Sequence, residues 1–138
     1  MIILCGGKCL IQNKFFEKIN LKEFLQSYKN LVIGISAGSM NLCNTVANFP
    51  EELVDIDDPR WFDGLGFCDK IIIPHFDQNG YQFDCPEVDL VNDYIFPMSV
   101  GKEFYGIDND SYILINNNKI ELFGNIYKIF DKKIQKIH

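Results

Sequence analysis

The sequence predicts an α/β fold in which a mostly parallel sheet lies between helices, with an antiparallel hairpin at the C-terminal end. Residues 2–4 and 31–35 are continuously apolar, and Lys70 is followed by the apolar run 71–73, a pattern typical of strands that are covered on both faces. Helical periodicity follows the first two runs, and alternation of strands with helices is typical of parallel sheets. Residues 112–115 and 120–123, separated by asparagines, indicate the hairpin.

The elements between these strands are less regular. We expect a helix over residues 9–28 that is broken near Asn20, because Asn20 followed by Glu23 is typical of a helix start. After the second strand, small residues lead into a helix that extends through Val46. Residues 47–68 lack a clear period and are predicted to form a loop with short elements.

Further elements complete the predicted domain. A helix is expected over residues 87–96, a strand over 104–107, and another antiparallel strand over 126–130. No internal repeat or linker divides the chain. Its 138 residues fit the ~100–150 residues of one domain, so residues 1–138 are predicted to form a single domain.

Composition excludes several classes of function. Nineteen acidic residues against 13 basic ones give a net charge of −6, and the basic residues form no stripe outside the C-terminal tail, so we expect no nucleic-acid partner. No apolar run approaches the ~20 residues of a membrane span. The five cysteines have no metal-ligand spacing, so we expect reduced thiols, a cytoplasmic location, no metal and no cofactor.

The most informative segment for a catalytic function is Gly34-Ile35-Ser36-Ala37-Gly38. It is a Gly-x-Ser-x-Gly motif between a predicted strand and a predicted helix, the context of a nucleophile elbow. In such a turn the serine oxygen projects beyond the strand ends, and N–H groups at the start of the helix can stabilise an oxyanion. A tight structural turn with a capping serine has the same pattern.

A serine nucleophile needs a general base, and the chain has two histidines. His75 follows the strand 70–73, at the edge of a parallel sheet where catalytic groups gather, whereas His138 is the last residue. His75 is therefore the expected base. The pair Gly6-Gly7 ends the first strand and fits either an oxyanion donor or a plain turn.

Four blocks together resemble the dipeptidase E (aspartyl dipeptidase) family of serine peptidases, which includes cyanophycinase. These blocks are residues 3–7, 34–39, 73–76 and 105–110. The resemblance implies a flavodoxin-like fold related to class I glutamine amidotransferases, and a Ser-His-acid triad. It implies Ser36 as nucleophile, His75 as base, and Gly7 and Ala37 as oxyanion donors.

Two departures from the family pattern bear on these expectations. The family carries a further N-terminal part, so we expect this chain to be short at that end, with an exposed sheet edge that favours a homodimer. The family's triad acid falls on or beside Asn109. Because an amide cannot stabilise an imidazolium as a carboxylate does, Asp108 or Asp110 is expected to complete the triad, with Glu51 and Glu52 in reserve.

The leading hypothesis is a serine peptidase that hydrolyses short peptides, among them dipeptides with an N-terminal aspartate. Arg60 and Lys8 are candidates for the cationic contact to that aspartate, although surface solvation is the more usual role of such residues. One alternative is an inactive remnant or binding module of the same fold. A second alternative is an α/β-hydrolase esterase, in which the histidine would follow the acid in a much longer chain. A third is a reactive thiol at Cys5, although this cysteine is rather expected to be a small buried apolar residue.

Overall fold

The computed structural model describes residues 1–50, 57–77, 89–117 and 119–138, and the backbone of 80–81. The chain forms two compact units. The first comprises Met1–Asn48 and Pro59–Ile71, and the second comprises Phe49–Asp58 and Ile72–His138.

The first unit is built from short strands and three helices. In chain order they are β1 (Ile2–Leu4), α1 (Cys9–Lys18), α2 (Leu21–Ser27), β2 (Val32–Gly34), α3 (Ala37–Leu42), β3 (Thr45–Ala47) and β4 (Trp61–Asp63). β1 and β2 pair in parallel, with Leu4 opposite Gly34, and β3 pairs antiparallel with β4. The predicted alternation of strand, helix and strand is therefore present from β1 to β2.

The predicted helix break near Asn20 is confirmed. Asn20 lies between α1 and α2 with φ 53° and ψ 38°, a left-handed conformation that asparagine tolerates better than most residues. Its side chain forms no capping hydrogen bond, so the break depends on this backbone conformation.

The prediction that the next helix extends through Val46 is wrong. α3 ends at Leu42, because Cys43 is extended with φ −72° and ψ 165°. Val46 lies in β3 opposite Phe62 of β4 and is buried there. A β-branched side chain packs well on such a pleated surface, so tertiary pairing replaces the helical periodicity.

Two apolar clusters hold the first unit together. One packs β1 against α1 and α2, and the other packs α1 against α3. Their buried members are Leu4, Phe16, Leu25 and Leu65 in the first cluster, and Cys9, Ala37, Met40 and Val46 in the second. Because α1 contributes to both clusters, it fixes α3 relative to the strands.

The second unit consists mainly of strands. Its elements are β5 (Ile71–Pro74), which begins at the boundary, β6 (Phe76–Asp77), β7 (Gly80–Tyr81), a π-helix (Leu90–Ile95), α4 (Phe96–Met98), β8 (Phe104–Ile107), β9 (Tyr112–Asn116), β10 (Lys119–Phe123), β11 (Ile126–Phe130) and β12 (Lys133–Lys136). Four strands form a sheet in the order β12-β11-β8-β5, and β6 pairs with β7.

The predicted helix over 87–96 is found in shifted form, as the π-helix followed by α4. Asp89 precedes it, and its Oδ1 accepts the N–H of Asn92 at 3.0 Å. Residues 87–88 lie outside the described part of the chain. None of the described helices has the length and apolar character that a membrane span needs.

The C-terminal hairpin and the mixed α/β class are confirmed. β9 and β10 pair antiparallel with Asn116 opposite Lys119, and Asn117 in the two-residue connection has φ 48°. β11 pairs with β8 and β12 instead of extending this hairpin. The described pairing does not confirm a mostly parallel sheet, because β1–β2 is parallel whereas β3–β4, β6–β7, β8–β11, β9–β10 and β11–β12 are antiparallel.

Truncation of a core side chain in the second unit should destabilise the protein strongly. Phe104 is 0% exposed and Phe130 is 41% exposed. We expect Phe104→Ala to lower the free energy of unfolding by about 3–5 kcal/mol, because it removes buried surface and leaves a cavity. Phe130→Ala is the matched control and should change it much less. Urea denaturation measures both, and equal losses would contradict the burial described here.

Candidate active site

Ser36 occupies a strained turn between β2 and α3. Its backbone has φ 54° and ψ −120°, which lies outside the left-handed helical region that non-glycine residues with positive φ usually adopt. The carbonyl of Ser36 accepts the N–H groups of Ser39 and Met40 at 2.9 and 3.2 Å. Such a conformation costs roughly 1–3 kcal/mol and is concentrated at functional sites.

Two glycines make this turn possible. A Cβ on Gly38 would overlap the carbonyl oxygen of Leu4, so α3 lies directly against the backbone of β1. A Cβ on Gly34 would lie 2.7 Å from the carbonyl oxygen of Gly38. The motif therefore has the strand–turn–helix context that a nucleophile elbow requires.

The loop after β1 lies beside the serine. A Cβ on Gly6 would be 3.3 Å from Cβ and 3.6 Å from Oγ of Ser36. Gly7 has φ 145°, which favours glycine, and it faces open space. Ala37 is the first residue of α3, where an N–H group has no partner within the helix. The first unit thus brings Ser36, Ala37 and this loop together.

The cysteines are divided between exposed and buried positions. Cys5 is exposed, so its interpretation as a small buried apolar residue is wrong; Cys9, Cys43 and Cys68 are buried. Hydrogen bonding with Cys43 lowers the pKa of the Cys68 thiol to about 7, against the opposing effect of burial. Cys85 lies outside the described residues. The exposed Cys5 is the cysteine nearest in sequence to the Gly6-Gly7 loop.

His75 lies in the second unit, at the bend between β5 and β6. It is exposed and has φ 58°, whereas the next residue, Phe76, is fully buried. A Cβ on Gly106 of β8 would lie 2.6 Å from Cδ1 of Phe76, so β8 passes directly over the Phe76 ring. The strained bend therefore projects the imidazole outward while its neighbour anchors the backbone.

Asn109 lies next to the imidazole of His75. Its Oδ1 is 2.9 Å from Nδ1 of His75. When an amide oxygen accepts this hydrogen bond, the proton of a neutral imidazole resides on Nδ1 and Nε2 is left as an acceptor. This is the tautomer that a general base needs for a serine hydroxyl.

Asp108 and Asp110, the acids predicted to complete the triad, lie on either side of Asn109 in the chain. Oδ1 of Asp108 accepts the backbone N–H of Asn109 at 2.7 Å, and its Oδ2 accepts Nδ2 of Asn125 at 3.1 Å. Asp108 thus fixes the turn that carries Asn109. Asp110 is exposed in the same turn with φ 60°. The reserve candidates, residues 51 and 52, lie outside the described residues.

Other predicted candidates are placed as follows. Lys8 comes directly after Gly7, at the start of α1. Arg60 lies in the first unit, where its carbonyl accepts the N–H of Asn48 at 2.9 Å. Nδ1 of His138 is 2.7 Å from the carbonyl oxygen of Gly124. Within the described part of the chain, no three His, Cys, Asp or Glu side chains are grouped to hold a metal ion.

Sequence reasoning missed a set of buried amides near Ser36. Asn13 and Asn41 are 6% and 0% exposed, and Nδ2 of Asn13 donates to Oδ1 of Asn41 at 2.9 Å. The signal in the sequence was a polar residue, Asn41, between the apolar residues Met40 and Leu42. The helix that contains it has 6 residues, too few for an amphipathic pattern to identify the buried face.

Comparison with known families places most of the chain in the range of a family model. Residues 2–123 match the model of Peptidase family S51, a range that contains all four blocks noted in the sequence. No curated protein matches the chain.

The strain at Ser36 predicts a difference in stability between two variants that lack its hydroxyl. Ser36→Gly and Ser36→Ala both remove Oγ, but alanine keeps the Cβ that makes φ 54° unfavourable. We expect Ser36→Gly to be more stable than Ser36→Ala by about 1 kcal/mol. Urea unfolding of the two purified variants measures the difference. A more stable Ser36→Ala would mean that the turn is not strained.

Proposed function

This chain belongs to peptidase family S51, and on that premise we propose that it is a serine peptidase with Ser36 as its nucleophile. Family membership implies a hydrolase of peptide bonds and does not favour the alternative of an inactive remnant. The observation that carries the assignment is the conformation of Ser36, φ 54° and ψ −120°, inside a Gly-x-Ser-x-Gly turn. Strain of this kind persists where the surrounding structure enforces it for function.

In the proposed reaction, Oγ of Ser36 bonds to the carbonyl carbon of the substrate while Nε2 of His75 takes the hydroxyl proton. The carbonyl oxygen becomes negatively charged and accepts hydrogen bonds from the N–H groups of Gly7 and Ala37. The carbon–nitrogen bond then breaks, and the amine leaves with the proton held by His75. Water, activated by the same imidazole, releases the acyl group from Ser36.

We assign the orienting role to Asn109. Its contact with Nδ1 of His75 supports this choice over Asp108, whose two carboxylate oxygens accept hydrogen bonds from Asn109 and Asn125. A Cys-His-Asn arrangement is used by papain-like proteases, so an amide can orient a catalytic imidazole. An amide lacks the negative charge that stabilises an imidazolium, and we therefore expect slow catalysis.

We extend the proposal to the substrate, the fold, the location and the assembly of the protein. We propose dipeptides with an N-terminal aspartate as substrates, with Lys8, directly after Gly7, as the cationic contact. We also propose a single domain of the class I glutamine amidotransferase type and a cytoplasmic location, where thiols such as the exposed Cys5 stay reduced. Exposed apolar side chains on one face of α1, Ile11 and Phe15, support a homodimer.

Labelling with a fluorophosphonate tests the nucleophile without any choice of substrate. The reagent should bond through phosphorus to Oγ of Ser36 and release fluoride, and mass spectrometry should find the adduct on that residue. Ser36→Ala and His75→Ala should each lower the labelling rate by about 10³-fold or more.

Matched variants distinguish this site from general reactivity. Ser27→Ala and His138→Ala remove the same groups from exposed positions, and both should be labelled as fast as the wild type. A folded wild-type protein that is not labelled, or is labelled on another serine, would contradict the proposal.

Replacement of the orienting amide by a carboxylate should raise activity. We expect Asn109→Asp to increase kcat/KM by about 10-fold, because the carboxylate adds a negative charge that stabilises the imidazolium while the tautomer of His75 stays the same. Hydrolysis of an aspartyl dipeptide measures this change. Asn116→Asp introduces the same charge at an exposed position and should leave kcat/KM unaltered. No increase in Asn109→Asp would mean that a negative charge at position 109 does not stabilise the imidazolium of His75.

A further inference from the structure

A chain of side-chain amides links the Gly6-Gly7 loop to the helix that carries the nucleophile. Nε2 of Gln12 donates to the carbonyl oxygen of Cys5 at 2.7 Å, and Oε1 of the same side chain accepts Nδ2 of Asn41 at 3.1 Å. Gln12 is in α1 and Asn41 is in α3. One side chain therefore bridges the loop after β1 and the helix after Ser36.

The anchor of this bridge is itself fixed from several sides. Nδ2 of Asn41 also donates to the carbonyl of Cys9 at 3.1 Å, and its Oδ1 accepts Nδ2 of Asn13 at 2.9 Å. Nδ2 of Asn13 donates in addition to the carbonyl of Asp63 in β4 at 3.0 Å. Because buried amides are strongly destabilising when unpaired, this set of bonds holds Asn41 in one orientation.

We propose that Gln12 is a positioning residue that holds the Gly6-Gly7 loop against Ser36. The inference rests on the proposed function, because it concerns the geometry of an oxyanion donor at Gly7. The Cys5 carbonyl belongs to the peptide that leads into Gly6, and Gly6 already packs against Ser36. Fixing this carbonyl limits the movement of the glycine peptides that follow, which have no side chains to hold them.

The arrangement explains why the bridge uses glutamine. The side chain must donate to a carbonyl on one side and accept from an amide on the other, and glutamine has one group of each kind. Glutamate has the same length and keeps the acceptor toward Asn41, but it presents a carboxylate oxygen to the Cys5 carbonyl. Gln12→Glu therefore breaks the loop contact selectively.

The test compares Gln12→Glu with Gln26→Glu, which makes the same change at an exposed position of α2. Saturation kinetics with the fluorophosphonate separate the maximal labelling rate from the concentration for half-maximal rate. We expect Gln12→Glu to lower the maximal rate about 10- to 100-fold with little change in that concentration, since a misplaced donor weakens stabilisation of the reacting state. Gln26→Glu should behave as the wild type.

A second readout is independent of Ser36 reactivity. Backbone NMR order parameters of Gly6 and Gly7 should be lower in Gln12→Glu than in the wild type and Gln26→Glu, while those of α2 stay the same. Unchanged order parameters at both glycines would overturn the inference. If the wild type is not labelled, the proposed function fails, and the order parameters alone decide whether Gln12 positions the loop.

Discussion

The close approach of α3 to the backbone of β1 is the constraint on which the first unit depends. It requires glycine at position 38, because any side chain there would overlap the carbonyl of Leu4. With the helix this near the strand, the chain must turn sharply at Ser36, and φ 54° is the result. The two apolar clusters that α1 shares with β1 and α3 supply the packing that maintains the strained turn.

A second strained residue, His75, follows the same principle in the second unit. The fully buried ring of Phe76 and the strand that crosses it at Gly106 leave the preceding residue in an outward bend. Ser36 and His75 are thus each adjacent to closely packed groups, the Gly38 contact with Leu4 in one case and the buried Phe76 ring in the other. The Asp108 carboxylate, bonded to the backbone of the turn and to Asn125, extends this rigidity to Asn109.

The sequence allowed the elbow, the strand–helix–strand start, the break at Asn20 and the C-terminal hairpin to be predicted, because each depends on local residues such as Gly34, Gly38 and Asn20. The end of α3 could not be predicted, since pairing of Val46 with Phe62 is a contact between distant residues. The same limit applies to the amide bridge of Gln12 and to the contact between Asn109 and His75. Both join positions that are far apart in the chain.

Asparagine and aspartate have the same shape, and their codons differ by a single base. The side chain beside His75 can therefore exchange an amide for a carboxylate in one mutational step, without a change in packing and with the turn still held by Asp108 and Asn125. Under the proposed mechanism, the rate is consequently adjustable on an evolutionary time scale independently of the fold. The proposed site can lose or recover rate by this exchange while the turn that carries it stays the same.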